Sequence, residues 1–112
     1  MSVRYYHGGP KVDGTHILPP SVTGAARVMH GEHYVCVTTE YTLALTYAAT
    51  CDGWVYEVAP DGPVVRDPDS MLDTSLRCPS ARIVRRIRPP KRTLEAARAA
   101  VARGAALMGG AR

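Results

Sequence analysis

"HYVCVTTEYTLALTYAATCDGWVYEV", residues 33–58, decides the class of the fold. Tyr34-Val35-Cys36-Val37 is rich in β-formers and runs into Thr38-Thr39, where Thr39 is placed to cap a helix over about residues 40–49. Gly53 closes that helix, and Trp54-Val55-Tyr56-Glu57-Val58 alternates as a half-buried strand does. Such a strand–helix–strand unit appears once in the chain and does not repeat. Regular βαβ winding is therefore not expected, and the class is α+β: a small sheet, a few short helices and a C-terminal helix.

Upstream, Arg4 to His7 reads as a short first strand stopped by Gly8-Gly9-Pro10. Residues 10–32 mix prolines, glycines, Asp13 and Ser21 without sustained periodicity and read as one long loop. Downstream, Pro60-Asp61-Gly62-Pro63 is a tight turn before the extended Val64-Val65, and Pro68 holds Asp67 out of helical geometry. Residues 69–80 read as irregular. Ala81 to Arg88 reads as a strand with Ile83 and Ile87 on one face, stopped by Pro89-Pro90. Thr93 then caps a last helix over about 94–108, with Leu94, Ala97, Val101, Ala105 and Met108 as its apolar stripe. This divides the chain into a body, residues 1–90, and a C-terminal basic helix and tail, residues 91–112.

A chain of 112 residues, 46% hydrophobic, suits a single core. Phenylalanine is absent, and the aromatic content is six tyrosines and Trp54, rings that carry a polar handle. Charge is uneven: residues 1–81 hold five basic and nine acidic side chains, whereas residues 82–112 hold nine and one. The Arg82–Arg103 segment thus has the charge for nucleic acid or a protein partner, or for a solvated helix face. No apolar run reaches the ~18 residues of a membrane span, so no membrane association is expected. Three cysteines at irregular spacing and no apolar leader give a cytoplasmic expectation. His30, His33 and Cys36 are three apart, but a structural zinc takes four ligands and no fourth stands near, so no metal is expected.

Three positions have chemistry to offer. His7, before two glycines, projects where a ligand can approach bare backbone. Tyr47, two turns into the first long helix, has Leu43, Ala44 and Ala48 as neighbours and lies near the core; its ring either packs there or stacks on a flat heterocycle. Asp67, held before Pro68, is a carboxylate on restricted backbone, suited to a turn or to steadying positive charge on a sugar ring.

Taken in order, "YYHGG", "VCVTTEYTLALTYA", "VYEVAPDGPVVRDP" and "SLRCPSARIVRRI" resemble the rifamycin ADP-ribosyltransferase family and its small actinobacterial relatives, over about residues 4–88. The resemblance implies a split, curved sheet with NAD in the cleft, serving as co-substrate. By that resemblance His7 bonds a ribose hydroxyl, Gly8 binds the nicotinamide amide through its backbone, and Tyr47 stacks on the nicotinamide. Asp67 steadies the ribosyl cation as nicotinamide leaves, and Thr38 lines the pocket. Tyr34 and Cys36 fall on the cofactor-binding strand; Cys36 stands where the family carries a tyrosine, and Gly9 where it commonly carries threonine. The implied activity is mono-ADP-ribosyl transfer to an unknown acceptor, or to water.

Overall fold

The computed structural model describes residues 3–23, 33–68 and 70–109. In chain order the elements are β1 (Tyr5–Gly9), β2 (His16–Ile17), α1 (Pro20–Thr23), β3 (Val35–Thr38), α2 (Tyr41–Thr50), β4 (Trp54–Asp61), β5 (Val65–Arg66), β6 (Ser75–Cys78), β7 (Ser80–Ile87) and α3 (Lys91–Gly109). The class is α+β: seven strands form one open antiparallel sheet in the order β2-β7-β4-β1-β3-β6-β5, with three helices, the last at the C-terminal end.

The first strand sits at the centre of this sheet, with β4 on one side and β3 on the other. Its two ladders are unequal. Against β4 it pairs from Tyr5↔Val58 to Gly9↔Trp54; against β3 only Tyr6↔Thr38 pair. Alternation along strands separates two cores. Tyr56 and Val58 of β4, Val35 and Val37 of β3, Cys78, Ile17 and Ala81 bury one face. On the other, Val55 meets Ala44, Ala48 and Ala49 of α2 and Leu94 of α3.

Helix α2 approaches β1 closely because Gly8 has no side chain: a Cβ there would lie 1.9 Å from the Ala44 carbonyl oxygen. Gly53 serves the same end at the following turn, where a Cβ would lie 2.1 Å from the Gly9 carbonyl oxygen. Strand β1 therefore runs through the glycines expected to stop it. Their lack of side chain is used for packing and not for a turn.

Other boundaries also differ from expectation. Glu40, not Thr39, is the N-cap of α2, and makes no side-chain cap bond; its N–H donates instead to Thr38 Oγ1 at 3.0 Å. The long loop contains β2 and α1, and the span expected to be irregular contains β6, which pairs with β3 from Val35↔Cys78 to Thr38↔Ser75. Strand β4 continues through Pro60 and Asp61, leaving Gly62, at φ +87°, to make the turn. Helix α3 starts at Lys91, directly after Pro90, so Thr93 lies inside it. Pro90 contributes its carbonyl to the Leu94 N–H at 3.1 Å.

Ile83 and Ile87, four apart, were expected on one face, but Ile83 packs with the first core and Ile87 with the second. The cause is a register shift: Glu57 pairs with Arg85 while Val58 pairs with Ile83, leaving Val84 as an extra residue. One inserted residue inverts the side-chain phase beyond it.

Candidate functional site

The site implied by the sequence lies around the narrow join between β1 and β3. Beyond Tyr6 and Thr38 the ladder is carried on by a side chain: His7 Nδ1–H donates to the Cys36 carbonyl at 2.7 Å. A carbonyl only accepts, so Nδ1 carries the proton and Nε2 of a neutral ring is left as an acceptor. Burial drives the His7 pKa below its ordinary 6.5, outweighing the raising effect of the Cys36 carbonyl. The ring lies 6.3 Å from that of Tyr56, centroid to centroid, and a Cβ on Gly9 would stand 3.0 Å from Nε2. A neutral imidazole with its acceptor nitrogen over bare glycine backbone is suited to receive a hydroxyl hydrogen.

Cys36 connects the pieces. Its backbone holds His7. Its side chain, on the face opposite Val35 and Val37, pairs across the ladder with Arg77 of β6. Burial raises the Cys36 thiol pKa, and the negative charge of Asp67 raises it further, while the positive charge of Arg77 lowers it. The thiol therefore stays protonated. Asp67 is half-buried, and its N–H donates to the Ser75 carbonyl at 2.9 Å, tying it to the end of β6. Thr38 is buried at 2% exposure, its hydroxyl occupied by the Glu40 N–H.

Tyr47 is not near the core as expected: Ala44 and Ala48 are wholly buried, whereas Tyr47 is 43% exposed on the flank of α2. That helix covers the Gly8 side of β1, and alternation turns the His7 side chain to the other side. Accordingly, the fold puts Cys36 and Arg77 on the face of β3 that Tyr6 and Thr38 share, with Asp67 acting on the same thiol. His7 lies on the opposite, Tyr56 face and reaches β3 through the Cys36 carbonyl. Tyr47 stands on the helix that crosses Gly8, its ring open to solvent. Tyr34, just before β3, is also exposed, and its ring lies under the Arg77 guanidinium, with the central carbon 4.2 Å from the centroid.

Two groups of residues had no role in the sequence reading. Arg77 lies inside the quoted "SLRC" but gains meaning only from the β3–β6 pairing, which no local pattern announces. Tyr56 and Arg86 strap down the segment after the glycines. The Tyr56 hydroxyl accepts from the Val12 N–H at 2.8 Å and donates to the Pro10 carbonyl at 2.9 Å, and Arg86 donates to the carbonyls of Val12 and Gly14.

Four arginines of the basic segment have side-chain partners in the fold. Besides Arg86, Arg88 donates to the Asp52 and Gly53 carbonyls at 3.0 and 2.8 Å. Arg98 reaches the Ala49 carbonyl at 3.0 and 2.9 Å, and Arg85 pairs with Glu57 at 3.3 Å. Of the three residues weighed as zinc ligands, His30 lies outside the described residues. No helix among the described residues is long and apolar enough to cross a membrane. Comparison with known proteins gives no identification: no protein-family model matches the chain and no curated protein matches it.

Proposed function

We propose that the protein is an NAD-dependent mono-ADP-ribosyltransferase of the rifamycin-enzyme type, its acceptor an unassigned nucleophile or water. The observation that carries this reading is the tautomer of His7. Its Nδ1 proton is spent on the Cys36 carbonyl, leaving a neutral acceptor nitrogen beside the Gly8-Gly9 backbone. The join of β1 and β3 by one residue pair supports a sheet that parts there, whereas Tyr47, on the helix that covers the face opposite His7, adds no support.

In this reading His7 Nε2 accepts a ribose hydroxyl and fixes the sugar, while Gly8 backbone orients the nicotinamide amide. The bond between nicotinamide nitrogen and ribose C1′ breaks, its electron pair leaving with the nicotinamide, which becomes neutral. Asp67 stabilises the cationic ribose left behind. The acceptor oxygen or nitrogen then bonds to C1′ and loses its proton to solvent. Nicotinamide is already a cationic leaving group in NAD, so orientation and charge stabilisation suffice without acid catalysis.

The test is nicotinamide release from NAD by the purified chain, followed chromatographically. Release that falls at least a hundredfold in both Asp67→Ala and His7→Ala, with folding retained, is the expected result. A folded protein that neither binds NAD at millimolar concentration nor releases nicotinamide would rule the reading out. The alternative, an inert domain of the same fold that binds nucleic acid or a protein through its arginines, predicts salt-sensitive association that survives Asp67→Ala. The carbonyl and carboxylate partners of Arg85, Arg86, Arg88 and Arg98 weigh against it.

A further inference from the structure

Among the described residues, one buried side-chain polar atom has no hydrogen-bond partner: Nε of Arg77. A buried donor left unpaired is uncommon in a folded chain, and each instance asks for an explanation. The surroundings of this one are specific. The guanidinium lies on the ring of Tyr34 at 4.2 Å, which holds its plane, and it faces Cys36 across the β3–β6 ladder. Cys36 in turn holds His7 through its carbonyl.

We infer that Arg77 is a binding residue for the pyrophosphate of a dinucleotide substrate, its Nε–H being a donor kept for a phosphate oxygen. The inference rests on the NAD-dependent reading and adds to it the residue that recognises the anionic part of the substrate. A guanidinium is planar, permanently charged and weakly hydrated, and its fork matches two phosphate oxygens at once. Asp67 is tied by its N–H to the Ser75 carbonyl, two residues from Arg77 on the same strand, so a phosphate at Arg77 adjoins the carboxylate given to the ribosyl cation.

The experiment titrates ADP-ribose, inorganic pyrophosphate and nicotinamide separately into the full chain by calorimetry, for wild type, Arg77→Gln and Arg77→Lys. The expected result is at least tenfold weaker ADP-ribose and pyrophosphate binding in Arg77→Gln, a smaller loss in Arg77→Lys, and nicotinamide affinity unchanged within twofold. Equal ADP-ribose affinity in wild type and a folded Arg77→Gln overturns the assignment while leaving NAD dependence standing. Should Arg77→Gln fail to fold, pyrophosphate that does not compete with ADP-ribose on the wild type overturns it instead. Pyrophosphate binding that is lost in Arg77→Gln, from a protein that binds neither NAD nor nicotinamide, sinks the NAD reading and keeps the anion site.

Discussion

His7 and Cys36 belong to adjacent central strands, yet they are joined by an imidazole Nδ1–H on a backbone carbonyl at 2.7 Å and not by a ladder pair. Because burial holds this ring neutral, acid must act against it. The folded-state pKa lies below the ordinary 6.5, so the unfolded chain takes up the proton first as pH falls. The stability contributed by neutral His7 is complete above about pH 6.5 and is lost as pH drops through the folded value. Thermal midpoints measured from pH 8 to pH 4 should fall more steeply for wild type than for His7→Asn, which keeps an N–H donor and does not titrate. Parallel profiles would show that the ring is not held neutral.

Gly8 makes a steric claim that substitution tests directly. A Cβ there points at the backbone of α2, 1.9 Å from the Ala44 carbonyl oxygen and 2.9 Å from the Ala48 nitrogen, and neither atom can swing aside as a side chain end would. Gly8→Ala must therefore push α2 off the sheet, at a cost on the order of 3 kcal/mol. The expected result is a lower urea midpoint than for Gly14→Ala, since nothing lies within 4 Å of a Cβ at Gly14. Equal midpoints would mean that α2 sits elsewhere.

Tyr56 →Phe should loosen the strap after the glycines without opening a cavity. The ring stays buried, but the Val12 N–H and the Pro10 carbonyl lose their shared partner. Losing such buried bonds costs about 1–3 kcal/mol. Lys11 is exposed and lies between the two anchor points, so limited trypsin digestion should cut the Lys11–Val12 bond several times faster in the variant. Mass spectrometry of early fragments reads this. Unchanged cleavage at that bond, with faster cutting elsewhere, would assign the loss to global stability.

The elements legible in the sequence were those whose signal is local. Trp54 to Val58 alternates, and α2 and α3 follow from apolar spacing and proline stops, so the α+β class could be read directly. What stayed hidden depends on partners distant in sequence. Gly8 and Gly9 look like a strand terminator until α2 and Gly53 are packed against them. Ser75–Cys78 is too short to declare itself and becomes a strand by pairing with β3 and β5. The bulge at Val84 inverts the phase of β7 without any glycine or proline to announce it. The site follows the same division. His7 and Asp67 follow from local pattern and Cys36 from the family resemblance, whereas Arg77 appears only once β6 lies beside β3.

Leu94 decides whether the basic C-terminal helix is a tail or part of the core. Its side chain is 1% exposed and packs with Ala44, Ala48, Ala49 and Val55, so the first turn of α3 closes the helical face of the sheet. Leu94→Ala removes a buried side chain from a cluster whose other members are small and poorly able to fill the space. A loss of about 2–5 kcal/mol is expected. Val101, two turns later and 39% exposed, supplies the control, and Val101→Ala should change stability by no more than about 0.5 kcal/mol. Urea denaturation with an unchanged slope measures both. A Leu94→Ala midpoint matching that of Val101→Ala would mean that α3 is not docked on α2, and the arginine contacts Arg98 makes to the Ala49 carbonyl would fall with it.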